Sequence, residues 1–295
     1  MTVTPMTTAA DARPIAAKVG SRIPADPLAL IRRGFVYLLL SLAAFVSVFP
    51  FFWMIVGTTN TSAEIIKGKA SFGGAFFTNA ATFFTQVDAL RIFWNSAFIA
   101  IVGTVLTLAI SSLAGYGFEM FRSRVRERIF ALLLLLLSIP FAAMMVPLFV
   151  MFSQAKLVNT YVAVILPTVA SIFIIFYFRQ ATKAFPSELR DAAKIDGLKE
   201  WQIFFFVYLP VMRSTYAAAT IIVFMANWNN YLWPLIVLQT AENKTITLII
   251  SALTSAYTPD YGMILFGTVL ATLPTLIIFF LLQRRFVEGM LGAVK

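Results

Sequence analysis

Six runs free of Asp, Glu, Lys and Arg constrain this chain more than any other feature: roughly Gly34 to Gly57, Ile92 to Phe118, Ile129 to Phe152, Thr160 to Phe178, Ser214 to Leu238 and Ile264 to Leu282. About 20 apolar residues rising about 1.5 Å each cross a hydrocarbon core about 30 Å thick. Inside lipid a single segment satisfies its own backbone only as a helix. The expectation is an all-α membrane protein with six transmembrane helices. Composition agrees, because 60% of the 295 residues are hydrophobic and 12% charged, against about 25% charged in a soluble domain.

The net charge of +10 would suit nucleic acid if Lys and Arg clustered on one face. They sit between the apolar runs instead, so no nucleic-acid partner is expected, and the charge becomes an orientation signal. With the N-terminus inside, 18 of the 23 Lys and Arg fall in segments on the cytoplasmic side and 5 outside, the bias of the positive-inside rule. Both termini are therefore expected in the cytoplasm. Residues 1–33 read as a cytoplasmic tail, 34–90 as the first helix and a long periplasmic loop, 91–284 as the core, and 285–295 as a C-terminal tail. The first run is too long for a signal-peptide apolar region of about 7–15 residues and reads as an uncleaved helix. The loop from Thr58 to Leu90, rich in Phe, Thr and Ala, is expected to hold short interfacial helices and a face for a partner.

Pro140, Pro147, Pro167, Pro234 and Pro274 lie inside the expected spans. Each removes a backbone donor, which a membrane tolerates only where neighbours or cavity water satisfy the freed carbonyl. Irregular bundle packing and hinging around a pathway both account for them.

The chain has no Cys and no His, which excludes thiolate metal sites, imidazole bases and disulfides. No phosphate-binding loop occurs, since Gly68-Lys69 precedes Ala70 and lacks the upstream Gly. The acidic residues form no pair within an apolar run, so no catalytic, cofactor or metal residue is assigned. The spans also lack the ionisable groups on which ion-coupled carriers rely. If the chain drives transport uphill, the energy is expected to enter from another subunit, and the connection between the fourth and fifth runs is where a soluble engine would grip.

That connection, Phe185 to Pro210, reads FPSELRDAAKIDGLKEWQIFFFVYLP. Ser187 is placed to cap a short helix, with Glu188 and Asp191 favourable near its start. Gly197 suits a left-handed helix end, and a second helix restarts at Leu198 until Pro210 interrupts it. Leu189, Ala192 and Ala193 share one face of the short helix, either a docking knob for another protein or a surface resting on the chain's own helices.

Asp191-Ala192-Ala193, two residues, Asp196-Gly197, nine residues, then Val207-Tyr208-Leu209-Pro210 resembles the EAA loop of ABC-importer permeases, with Asp191 standing for Glu and Val207 for Ile. Asn95-Ser96, Trp228-Asn229-Asn230-Tyr231 and Gln283-Arg284-Arg285-Phe286-Val287 with Gly289 and Gly292 are similar to the carbohydrate-uptake branch of that family. The resemblance implies the type I importer permease fold and a sugar or related polyol as substrate. It also implies a sister permease, an ATPase dimer that uses the ATP, and an external solute-binding protein. Glu188, Leu189, Asp191, Ala192, Ala193, Asp196 and Gly197 would form the ATPase-docking coupling loop.

In the fifth run Asn227, Asn230 and Tyr231 share a helical face, roughly 20–25 Å from the cytoplasmic edge at about 1.5 Å per residue. Unpartnered amides in hydrocarbon cost several kcal/mol each, so this face is a candidate translocation pathway. The rival reading is helix–helix hydrogen bonding, with Trp228 and Trp233 in an interfacial aromatic belt. A self-sufficient channel or secondary carrier remains the alternative function; a lipid-acting enzyme lacks a polar cluster, and a scaffold gives no reason for the loop spacing.

Overall fold

Hydrogen bonds closed within each segment govern the structure, a computed structural model that describes the backbone of residues 27–292 and the side chains of residues 32–284. The tail before residue 27, and the side chains of the C-terminal motif from Arg285 onward, lie outside the described residues. No strand occurs among the described residues. The helices in order are α1 Pro27–Gly57, α2 Ser62–Ile66, α3 Phe76–Gln86, α4 Ala89–Met120, α5 Arg124–Leu136, α6 Phe141–Gln154, α7 Tyr161–Ile165, α8 Ile172–Thr182, α9 Ser187–Ile195, α10 Glu200–Ile203, α11 Leu209–Val211, α12 Arg213–Trp228, α13 Leu232–Val237, α14 Ile246–Thr254 and α15 Tyr261–Gly292. A 3₁₀ turn, Leu166–Thr168, follows α7, and a π turn, Phe204–Tyr208, joins α10 to α11.

The chain divides into two units, residues 1–50 and 51–295. The described part of the first is the apolar start of α1. The second carries everything else.

Three helices are long and apolar enough to cross a membrane alone, Arg32–Gly57, Ala89–Met120 and Tyr261–Arg284; the count reaches six if each of three bent pairs is one span. Two of these bends correct expected rods; the third, 81° at Met212 between Glu200–Val211 and Arg213–Val237, lies before the fifth run, which is interrupted separately at residues 229–231. α5 and α6 meet at 99°, so the run from Ile129 to Phe152 turns at residues 137–140. Pro140 there has no N–H and disfavours helical backbone at Ile139. The α7 segment and α8 diverge by 42° after Pro167, where Ser171 starts α8 by accepting the Ile174 N–H at 3.4 Å. In the fifth run α12 stops at Trp228 and α13 begins at Leu232. Pro234 cannot donate to the Asn230 carbonyl, which weakens the helix at this break. The sixth run is continuous through Pro274.

The freed carbonyls find partners on other helices. Pro167 leaves the Ala163 carbonyl without its usual donor, and the Trp233 indole N–H donates to it at 2.8 Å. Pro234 frees the Asn230 carbonyl, which accepts the Thr247 hydroxyl at 3.2 Å. At the α7–α8 break the Thr168 carbonyl accepts the Thr107 hydroxyl at 3.2 Å. Trp233 is fully buried and Trp228, 3% exposed, donates to Ala271 at 3.0 Å. The expected aromatic belt is therefore wrong for both tryptophans: their N–H groups are claimed by helix carbonyls inside the bundle rather than by an interface.

Helix α4 is the spine. Its buried stripe is Ser96, Ala100, Gly103, Thr104, Thr107, Ser111 and Gly115, at helical spacing, while Ile101, Val105, Ile110 and Leu113 stay exposed. Small residues let backbones approach closely, which is how helices associate in lipid. A Cβ at Gly115 would lie 2.7 Å from the Phe178 Cβ and 2.8 Å from the Arg179 nitrogen. Between α1 and α4 the chain forms the two short helices α2 and α3. The Asn79 amide donates to the carbonyls of Thr58 at 2.8 Å and Asn60 at 2.9 Å, beneath Gly262 of α15. The Gly115→Val substitution is expected to cost about 1–3 kcal/mol by overpacking. A thermal-unfolding midpoint lowered by several degrees in detergent checks it; an unchanged midpoint refutes the close α4–α8 packing.

Candidate functional site

The loop between α8 and α12 has the expected outline. α9 is followed by Gly197 at φ +83°, a conformation that glycine adopts without penalty, and the Gly197 and Leu198 N–H groups close the helix end on Lys194 and Ala193. Pro210 withholds a donor from the Phe206 carbonyl, and the backbone widens into the π turn, with the Leu209 N–H on Phe204. Two details differ. Pro186, not Ser187, caps α9, and no side chain completes the cap. The expected face also splits, for Ala193 is 6% exposed while Leu189 and Ala192 face outward. Ala193 sits where α9 leans on α10 and the π turn, so it serves the chain's own packing. Glu188, Asp191, Ala192 and Ile195, at i, i+3, i+4 and i+7, form the presented stripe, with Leu189 beside it and Asp196 at its end. Ile195 is 87% exposed, which is unusual for an isoleucine with no purpose outside.

Beneath this loop lies an aromatic cradle of Tyr116, Phe185, Phe204, Tyr208 and Met212, all buried. Tyr116 and Tyr208 rings meet edge-on at 4.8 Å, and the Tyr208 hydroxyl lies 2.6 Å from that of Thr182. Polar contacts converge on Glu200. Its Oε1 accepts Arg190 at 2.6 Å and Lys194 at 3.0 Å, and its Oε2 accepts the Tyr116 hydroxyl at 3.1 Å. The Arg190 guanidinium also lies 5.0 Å from the Phe121 ring centre, a favourable cation–π distance. One turn further along α4, buried Glu119 accepts Arg179 Nε at 3.4 Å and also pairs with Arg122. Arg179 reaches Glu127 of α5 with its other arm and covers the Phe130 ring at 4.0 Å. Breaking such a buried pair leaves an uncompensated charge at about 3–5 kcal/mol.

The pathway residues divide. Asn227 and Asn230 line a cavity of about 410 Å³ together with Thr107, Thr168, Ser171 and Phe141. Tyr231 does not share their face, because α12 ends before it. Its hydroxyl accepts Ser251 at 3.0 Å and it borders a separate cavity. Gly103 gives Asn227 its room, since a Cβ there would lie 3.0 Å from the Asn227 amide nitrogen. Phe141, Pro167 and Asn230 each belong to one of the three helix breaks, so all three breaks open onto this cavity. Asn95 and Ser96 have a different task. The Asn95 amide holds the carbonyls of Glu242 at 2.7 Å and Lys244 at 3.0 Å, and the Ser96 hydroxyl accepts the Ile246 N–H at 2.8 Å. They clasp the connection between α13 and α14 to the start of α4.

A bundle of broken apolar helices around a mainly apolar cavity edged by a few hydroxyls and amides, with a helical knob projecting from the connection between two of its spans, has the architecture of a membrane transport subunit. Residues 108–292 match the family described as "Binding-protein-dependent transport system inner membrane component", and the chain belongs to that family, as a permease of ABC-importer type and a multi-pass inner-membrane protein. It is 67% identical to the lactose transport system permease protein LacG of Rhizobium radiobacter, over 88% of this chain and 95% of that protein. It is 36% identical to the arabinooligosaccharides transport system permease protein AraQ of Halalkalibacterium halodurans, over 90% and 96%. The fold matches a chain in the crystal structure of a bacterial ABC transporter involved in the import of the acidic polysaccharide alginate, with a TM-score of 0.79, 18% identity, and coverage of 88% of this chain and 98% of that one. The matched family region starts in α4 and takes in the loop and every cavity-lining residue except Thr107.

Sequence reasoning missed Ile195, whose i+7 spacing from Glu188 was readable, and Tyr116, Glu119, Arg179 and Glu200, which are far apart along the chain. It also missed Thr107, Thr168 and Ser171, small hydroxyls that look like bundle glue until the breaks bring them together. Gly197→Pro should leave insertion intact but abolish coupled transport, because proline fixes φ near −65° where the turn needs +83°. Uptake at matched membrane level checks this, and normal uptake removes the loop from the coupling mechanism.

Proposed function

We propose that this chain is one permease of an ATP-driven importer for lactose or a closely related disaccharide. The single observation that carries the substrate class is the 67% identity to a lactose permease across 95% of its length. Support comes from the relatives named for arabinooligosaccharides and, at 28% identity, for sn-glycerol-3-phosphate, each a polyhydroxylated solute. The hydroxyls and amides of Thr107, Thr168, Ser171, Asn227 and Asn230 suit the exchange of hydrogen bonds with such a solute in a dry bundle.

In this reading two ATPase subunits bind and hydrolyse ATP; this chain does neither. One of them receives the stripe of Glu188, Leu189, Asp191, Ala192, Ile195 and Asp196. A sister permease completes the pathway, and a solute-binding protein delivers sugar to the opposite face. The basic segments around the loop favour a cytoplasmic position for it and for both termini. Closure of the ATPases moves the loops and switches the pathway between two states, each ligand acting through its differential affinity for them. A channel or secondary carrier would need no such knob.

Purification of the chain from its native membrane in mild detergent is expected to bring down an ATPase with a phosphate loop and a second permease. Proteoliposomes of that assembly should take up labelled lactose only with ATP and binding protein; uptake without ATP would refute the importer reading. Ile195→Glu is expected to reduce ATPase co-purification at least about tenfold, the cost of losing one buried anchor of about 1.4 kcal/mol or more. Asn227→Ala with Asn230→Ala should lower uptake while leaving ATPase co-purification unchanged, and unchanged uptake would return these amides to bundle packing.

A further inference from the structure

The docking stripe and the translocation cavity occupy different parts of the bundle, so a movement of α9 must be handed to a spanning helix somewhere. α9 itself ends at Ile195, before the turn at Gly197, and cannot push a span along its own axis. The aromatic cradle gives slack contact, since ring pairs at 4.8 to 5.3 Å slide at little energetic cost. A hydrogen bond to a carboxylate is directional and charge-assisted. Among the described contacts, one such bond joins the loop to α4: the Tyr116 hydroxyl on Glu200 Oε2, at 3.1 Å.

The burial around that bond is uneven. Tyr116 is 5% exposed, and its ring alone would fill the space between Phe121, Phe204 and Tyr208. A phenylalanine would pack there equally well and would bury no polar oxygen. Glu200, in turn, already has two cations, Arg190 and Lys194, both on α9. The phenol is therefore superfluous for packing and for charge balance. What it adds is a link between α9, through Glu200, and α4.

That link continues. Glu119 lies one turn beyond Tyr116 on the same side of α4 and holds Arg179 of α8, which holds Glu127 at the start of α5. The helices so joined are those whose breaks line the cavity at Phe141, Pro167 and Thr168. We propose that Tyr116 is a positioning residue for coupling: through Glu200 its phenol makes the C-terminal turn of α4 follow the docking helix. The proposal rests on the importer reading above and adds the residue through which the loop's movement enters the bundle.

The test uses the whole co-purified assembly in proteoliposomes, reading labelled lactose taken up per ATP hydrolysed for four forms: wild type, Tyr116→Phe, Glu200→Gln and the double variant. Tyr116→Phe deletes one oxygen and keeps every ring contact, so assembly is expected at wild-type level. Lactose moved per ATP should fall at least about fivefold, the low end for coupling between sites. Glu200→Gln should lower the same ratio, and the double variant should be no worse than the more severe single, the non-additivity of residues that act through one bond. A merely structural role would shift thermal stability and leave the ratio alone. A wild-type ratio in Tyr116→Phe, or losses that simply multiply in the double variant, overturns the proposal while the importer reading stands. Wild-type assemblies that take up lactose without ATP overturn both.

Discussion

Every interruption of a helix in hydrocarbon exposes backbone groups that lipid cannot satisfy, at several kcal/mol each. The architecture of this permease follows from how those groups are answered. The Trp233 indole takes the carbonyl freed by Pro167, the Thr247 hydroxyl takes the one freed by Pro234, and the Thr107 hydroxyl takes Thr168 at the α7–α8 break. Each answer comes from another helix. The donors are therefore fixed in position by the need they meet, and they fix the neighbouring helices in turn. A cavity edged by three helix breaks can exist in this bundle because two of the breaks are stitched from other helices and the α5–α6 break closes on its own turn.

The same logic explains the spine. α4 offers small side chains on its buried stripe, so α8 passes close enough at Gly115 for its backbone to touch, and Asn227 fits against Gly103. Without a hydrophobic drive between helices in lipid, that closeness and the cross-helix hydrogen bonds supply the association. The arrangement also places Tyr116 and Glu119 on one end of α4, beside the α9–α10 connection and beside Arg179. One helix thus meets the α9–α10 connection at one end, lines the cavity with Thr107 in its middle, and is clasped through Asn95 and Ser96 at the other end.

Much of this was legible from residue order. Uncharged length named the spans, Gly197 named the turn, and the loop spacing carried the family resemblance. What residue order misplaced has a common cause. Ile129 to Phe152 reads as one apolar rod because hydropathy does not register direction, and a 99° bend changes no residue's polarity. Asn227, Asn230 and Tyr231 share a face only if one helix contains all three. The belt reading of Trp228 and Trp233 failed because burial depends on which neighbours arrive, and the carbonyls that claim their N–H groups belong to residues 43 and 70 positions away.

Sequence by itself determined that this chain is helical, spans a membrane several times, and presents a knob with the spacing of an importer permease. Those properties are set by local chemistry: hydrophobic length, backbone preference at Gly and Pro, and charge. Tertiary structure alone decided which carbonyl each tryptophan caps, which hydroxyls gather around Asn227 and Asn230, that Ala193 turns inward while Ile195 turns out, and that Tyr116 meets Glu200 across 84 positions. Those are pairings, and a pairing between residues far apart in the chain exists only once the helices have chosen their neighbours.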